Sequence, residues 1–316
     1  MAQTPATPKT RRWALSLWAH LIGPHRLART ANLQASERAA LALRAKGAPA
    51  APQDPTLTFM IPLVGKHHVN DWFGVSARLA ATLTSFTRQG NANWRALICG
   101  QDAPDLPAPL AQDPRITFLP FTTPMQGNDK WAKLRTLCDA LPTHVTHDGY
   151  VMPFDADDLL APGQISAILN SQSPGGSLVS LGYVADQQND RIALAGPPTL
   201  TKPRRKPFWK LCGSCAAIRY RPEDGPDFLA ELTSHEHRMF PYLATLAGRP
   251  LKPLQDPAAL YVLNHGDNFG ARRGRVSSKT RFTQRYAITD PQKITDIRTA
   301  FTFGKISPPE ASAQSR

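Results

Sequence analysis

Three carboxylates stand within four residues at Asp155-Ala156-Asp157-Asp158. Side chains this close repel one another unless a cation or hydrogen-bond donors offset their charge. Hard oxygen ligands in such a group suit Mg²⁺ or Mn²⁺, ions that keep positions open for the oxygens of a substrate phosphate. The cluster also allows a capped turn, in which Asp157 or Asp158 bonds the backbone of the helix that follows Pro162. The residues in front favour the metal. Tyr150–Phe154 (YVMPF) is wholly apolar, and Asp is a poor strand former, so the cluster marks a strand's end. Ligands of open α/β sheets bind outside the carboxyl ends of the strands, where these aspartates would lie.

The elements needed to hold such a site alternate along the chain. Thr56–Val64 (TLTFMIPLV) is an apolar, β-rich run that ends near Gly65. From Asp71, a plausible N-cap, Trp72, Val75, Leu79, Leu83 and Phe86 recur at helical spacing up to Gly90. Trp94–Cys99 and Arg115–Phe121 read as two further strands. Asp129–Leu141 is again helical, with Trp131, Leu134, Leu137, Cys138 and Leu141 on one face. Beyond the aspartates, Ile165–Leu169 reads as helix and Ser177–Val184 as one strand with Arg191–Ala195 as its hairpin partner. Residues 196–207 read as a Pro-rich loop, Phe208–Tyr220 as a return to the sheet and Phe228–Ala247 as mostly helix. The alternation predicts an α/β domain with a mixed, mainly parallel sheet and helices on both faces.

The formal net charge of +13 is unevenly placed. Residues 1–53 hold 8 Lys and Arg against 1 acid, and residues 271–316 hold 10 against 3. The centre is close to neutral, so three parts are expected: a basic N-terminal extension and linker (1–53), the domain (54–270) and a basic C-terminal tail (271–316). The N-terminal flank carries Arg11, Arg12, Trp13, Leu15, Leu17, Trp18, Leu21 and Ile22, too short an apolar run to cross a bilayer. Tryptophans beside arginines suit an amphipathic helix on an anionic membrane surface. A helix packed on the protein's own surface, or solvated ends, account for the same residues. Four scattered cysteines make a disulfide scaffold a poor fit and a reducing, cytoplasmic setting the expectation.

TFMIPLVG (58–65), LICGQDAPD (97–105), DKWAKLRTL (129–137), YVMPFDADDLLAP (150–162) and YVLNHGDN (261–268) come in an order that resembles family 2 glycosyltransferases of the GT-A fold. The resemblance covers about residues 56–270 and implies a GT-A-like, Rossmann-like domain that uses a nucleotide-sugar donor. It implies Pro62 at the nucleotide pocket, Asp102 on the base or ribose, and Lys130 or Lys133 on the diphosphate. Asp155 and Asp157 would hold the metal, Mn²⁺ or Mg²⁺, and the sugar nucleotide. Asp158 would be a ligand or a support, and His265 and Asn268 would reach the metal or diphosphate. The family places its catalytic base well after the metal motif, which points here to Glu236 in Ser234-His235-Glu236-His237, with Glu231 and Asp227 as alternatives. The acceptor implied is a hydroxyl of a glycan, lipid-linked saccharide or other cell-surface precursor, met at the inner face of a membrane. The resemblance implies an inverting outcome, and because the Gln/Arg-x-x-Arg-Trp signature of processive members is absent, a non-processive transfer is expected. The same aspartates would also serve a metal-dependent nucleotidyltransferase or phosphoesterase, and a non-catalytic protein with a degenerate transferase fold is the third reading.

Other signals are weaker. Cys212-Gly-Ser-Cys215 has no second CxxC to complete a zinc set, which leaves two cysteines packed near the donor pocket. His67-His68 follows the first strand and suits a solvated loop. There is no P-loop or dinucleotide fingerprint. The basic tail lacks the interleaved aromatics or recognition helix of a nucleic-acid module.

Overall fold

A computed structural model of the chain describes residues 3–29, 32–123, 125, 127–264 and 276–303. Strand β1 (Thr56–Pro62) is buried from Leu57 to Ile61, so apolar cover is needed on both of its faces. On one side Phe59 stacks on Phe86 of the helix Trp72–Thr87, ring centroids 3.8 Å apart, and Phe154 closes edge-on against both. On the other side Met60 meets Cys138 of the helix Lys130–His144 at 3.9 Å between sulfurs. The helix spacing expected from Asp71 is explained by this packing. The Asp71 side chain caps the helix, accepting from Gly74 N at 2.8 Å.

Strands β2 (Trp94–Gly100), β3 (Ile116–Pro120) and β4 (Gly149–Pro153) lie parallel to β1 in the order β4-β1-β2-β3. Then come β5 (Leu159–Leu160), β6 (Gly176–Leu178), β7 (Gly182–Asp186), β8 (Arg191–Ala195), β9 (Ala216–Tyr220), β10 (Lys252–Pro253) and β11 (Ala259–Leu263). Among the described residues the main sheet has seven strands, ordered β10-β6-β9-β4-β1-β2-β3, and a second sheet runs β5-β11-β7-β8. Among the described residues only β9 runs against its neighbours in the main sheet, β4 and β6. This is a mixed, mainly parallel α/β architecture of the Rossmann-like type.

One expectation needs correcting. Ser177–Val184 is not a single strand: β6 belongs to the main sheet and β7 to the second. Between them Val179 N bonds Cys215 O, while Ser180 O and Leu181 O accept from Phe208 N and Ala258 N. Successive residues thus take different partners, and the chain steps from one sheet to the other. The hairpin of β7 with β8 forms as expected.

Both flanks contain packed helices. In Lys9–Leu21, Leu15 and Ala19 are buried, and in Ala35–Ala45 the buried face includes Ala40, Leu41 and Leu43. The helix Pro291–Phe301 lays Ile297 and Phe301 against Ala185, Ile192 and Leu260 of the second sheet.

Candidate active site

The parallel pairing of β1 with β4 brings Pro62 and Phe154 to the same edge of the sheet, since Phe154 N bonds Met60 O at 2.9 Å. Asp155 is the next residue and leaves the sheet there. The chain then enters β5 of the second sheet, so the aspartate loop bridges the two sheets. Because β9 is antiparallel to β4, its beginning arrives beside the end of β4. That places the Cys212–Cys215 loop against the aspartates.

The contacts that result are specific. Ser214 Oγ accepts from Asp155 N at 2.8 Å and donates to Asp158 Oδ2 at 2.6 Å. Cys212 Sγ donates to the same oxygen at 3.0 Å. From the other side Thr82 Oγ1 donates to Asp158 O at 2.8 Å, and Ser85 Oγ accepts from Leu160 N at 3.1 Å. A Cβ on Gly213 would come within 3.3 Å of Asp155 Oδ2, a close approach that favours glycine there.

Asp155, Asp157, Lys130, Lys133, Pro62 and Glu236 all line one cavity of about 310 Å³. Lys130 pairs with Asp155 at 2.5 Å. Although burial pulls its ammonium down, Asp155, with Asp157 and Asp158 beyond it, holds it above the ordinary lysine value. Lys133 is fully buried, paired with Asp129 at 2.8 Å and donating to Leu63 O at 2.6 Å. Its charge is committed to the wall, and Lys130 is the lysine that meets the aspartates. Lys133→Met would leave Asp129 buried and uncompensated, so urea denaturation is expected to show a loss of about 3–5 kcal/mol.

The three aspartates separate by environment. Asp158 faces inward, is fully buried and does not line the cavity. Burial first, then the charges of Asp157 and Asp155, hold its carboxyl well above the usual carboxylate range, despite the Cys212 and Ser214 bonds. Of the two roles open to it, ligand or support, the position fits a support. Asp155 and Asp157 reach the cavity and leave a two-carboxylate donor set. Mg²⁺ and Mn²⁺ use such sets, with one or two carboxylates and the rest of the shell from water and substrate phosphate, so the residues fit such an ion. Among the described residues no group of three or more His, Cys, Asp or Glu forms a complete protein cage.

Asp102 stands off the cavity, where its Oδ2 accepts from Lys66 N at 2.8 Å and ties the end of β2 to the turn after β1. His265 and Asn268 lie outside the described residues. Glu236 stands just before the short 3-10 turn His237–Met239 at the cavity wall, whereas Glu231 and Asp227 do not line it. Beside it, burial and then the charges of Lys130, Arg238 and Lys279 push His237 down to about 3, so its ring is neutral at pH 7. The four cysteines are free and buried, and burial raises the Cys212 thiol.

Sequence reasoning missed several lining residues. Gln3 arrives because Thr4 bridges to His235, with Thr4 N bonded to Ser234 O at 2.9 Å. Arg78 comes from the helix Trp72–Thr87. Tyr261 of β11 and Lys279 of the helix Val276–Arg285 close the far wall. The trace left in the sequence is the spacing Lys279, Phe282, Thr283, Tyr286, which puts a lysine on a buried helical face.

No family profile and no curated protein matches the chain. Among solved structures, a 4-diphosphocytidyl-2C-methyl-D-erythritol synthase is similar at 13% identity and a TM-score of 0.32, over 78% of this chain and 98% of that one. The glycosyltransferase GlyE of Streptococcus pneumoniae TIGR4 is similar at 12% identity and a TM-score of 0.35, over 80% of this chain and 66% of that one.

Proposed function

We propose that the chain is a divalent-metal-dependent glycosyltransferase, which moves a sugar from a nucleotide-sugar donor to a hydroxyl acceptor with inversion and without processivity. The observation that carries this reading is the meeting of Asp155, Asp157, Lys130 and Glu236 around one cavity at the carboxyl ends of β1 and β4. Base and ribose would lie toward Pro62, at the end of β1, with Asp102 supporting the turn behind it. When bound, Mn²⁺ or Mg²⁺ supplies Lewis-acid stabilisation of the departing diphosphate. Asp155 and Asp157 would hold it, with Asp158 and Ser214 keeping the loop rigid beneath them.

The remaining chemistry belongs to the chain. As the anomeric carbon leaves the diphosphate oxygen and meets the acceptor oxygen, the acceptor hydroxyl loses its proton. Glu236 Oε takes that proton as general base. Lys130 balances negative charge beside Asp155 throughout. The apolar wall of Leu63, Val64, Leu134 and Phe240 excludes water, which strengthens these interactions.

The test is release of nucleoside diphosphate from a panel of nucleotide sugars with Mn²⁺ and candidate acceptors. Exchange of pyrophosphate into a nucleoside triphosphate would instead identify a nucleotidyltransferase. Sugar-nucleotide binding that ignores Mn²⁺, with no turnover, would identify a degenerate fold.

The acceptor side of the reading includes a membrane. No described helix is long and apolar enough to span one. In the helix Lys9–Leu21, however, Trp13, Leu17, Trp18 and Leu21 are exposed on a strongly basic flank, as suits peripheral contact with anionic lipid at an inner, cytoplasmic face. Trp13→Ser with Trp18→Ser is expected to weaken binding to phosphatidylserine-containing vesicles by at least about tenfold, or ~1.4 kcal/mol. Unchanged partitioning in a flotation assay would remove the membrane from the proposal.

A further inference from the structure

The helix Val276–Arg285 lies in the basic C-terminal flank, where its lysine and arginines would be expected to face water. Its side chains divide otherwise. Phe282 is 6% exposed and Thr283 fully buried, whereas Arg281 and Arg285 are exposed. Thr283 Oγ1 reaches Asp186 Oδ2 at 3.4 Å, and Asn264 at the end of β11 donates to Thr280 Oγ1 at 3.3 Å. These contacts fix the rotation of the helix. Lys279 stands three and four residues before Phe282 and Thr283, so it must share their inward face.

There it lines the cavity with Asp155, Asp157 and Lys130. Its ammonium bonds the Tyr261 hydroxyl and sits 4.4 Å from the centroid of that ring. Among the described residues it has no carboxylate at ion-pair distance. Lys130 has Asp155, Lys133 has Asp129, and Arg219 and Arg249 have Asp148 and Asp224. A half-buried ammonium whose direct contacts are a phenol and an aromatic face has lost water without gaining an ion-pair partner, with Asp155 and Asp158 acting on it only from farther off. An anion in the cavity would restore what burial removed.

We propose that Lys279 is a donor-binding residue, which together with Lys130 grips the diphosphate of the bound nucleotide and so makes the C-terminal helix part of the active site. Two ammonium groups beside the aspartates match a ligand with several negative oxygens better than one with a single charge. Burial first, with the charge of Lys130 adding to it, depresses Lys279 below the ordinary lysine value against the pull of Asp155 and Asp158, and an anion between the two ammonium groups would offset that cost. The assignment rests on the nucleotide-sugar reading for the name of the ligand, but not for the existence of the anion site.

The test is titration calorimetry of the full chain with inorganic pyrophosphate and, in parallel, orthophosphate, in EDTA at fixed salt. Wild type is expected to bind pyrophosphate more tightly than orthophosphate. Lys279→Met should weaken pyrophosphate binding at least tenfold, and Lys279→Arg should hold it within about threefold. Arg285→Met, which removes the same charge from the exposed face of the same helix, should bind as wild type does. Circular dichroism of each variant separates loss of binding from loss of fold.

Equal pyrophosphate affinity in wild type and Lys279→Met would overturn the proposal. So would an equal loss in Arg285→Met, which would mean bulk charge, or no binding by wild type without metal. The two readings fail separately. Pyrophosphate binding through Lys279 with no nucleotide sugar turned over would defeat the transferase reading alone. Sugar transfer that survives Lys279→Met unchanged would defeat the Lys279 assignment alone.

Discussion

Asp157→Asn is expected to lower metal-dependent kcat by about 10²–10³-fold while leaving thermal stability within a degree or two. The substitution keeps shape and removes one negative charge from a side chain that lines the cavity. A metal ion contributes several kcal/mol to the stability of a departing diphosphate, and each ~1.4 kcal/mol is a factor of ten in rate. The fold should not suffer, because the loop is held through other atoms: Ser214 grips Asp155 N and Asp158 Oδ2, and Thr82 grips Asp158 O. Two measurements decide it, steady-state release of nucleoside diphosphate across a Mn²⁺ series and thermal melting in EDTA. Wild-type turnover in the variant would take the metal away from Asp157. A collapse of the melting temperature would mean that the residue is structural.

Glu236→Gln should leave donor binding intact and reduce transfer by about 10²–10⁴-fold, the usual contribution of a positioned general base. The amide keeps the size of the side chain at the start of the turn His237–Met239, so packing is preserved. The informative comparison is between donor affinity, read by thermal shift with nucleotide and Mn²⁺, and kcat with acceptor present. A base acts on the acceptor proton and should alter only the second. If both fall together, Glu236 binds donor. If neither falls, the base lies elsewhere. Glu231 is a poor substitute, since it lies 4.0 Å from the Arg135 guanidinium and off the cavity. His237 is adjacent, but burial first, and then the charges of Lys130, Arg238 and Lys279, hold it at about 3, too weak a base for the task.

These two residues show unequal legibility in the sequence. Asp157 was visible because a triplet of acids behind an apolar strand is locally improbable without a partner. Glu236 stood out only through a resemblance, since a carboxylate between two histidines has no periodicity of its own. The β1–helix–β2 segment was readable for a simple reason: apolar spacing records which face is covered, and Phe59, Phe86 and Phe154 cover one another. The misreading at Ser177–Val184 has the converse cause. A run rich in Leu, Val and Tyr says that the backbone is extended, but not that its hydrogen bonds go to two different sheets.

Lys279 is the clearest case of a residue concealed by its setting. Counted with the other Lys and Arg of its flank it contributes to net charge, which carries no direction. Its position depends on Phe282 and Thr283 turning inward against the second sheet, hundreds of residues of chain after the first strand.

The sequence by itself determined the alternation of strands and helices, the rim on which the aspartates sit and the neutral centre between basic flanks, because all of these follow from near neighbours. Tertiary structure alone decided which carboxylates face the cavity. Asp158 turns inward since the antiparallel β9 delivers Ser214 and Cys212, 56 and 54 residues later, as donors to its oxygen. It also decided which of the many lysines reach the site, because a charge becomes a ligand only when distant elements have removed its water and its other partners.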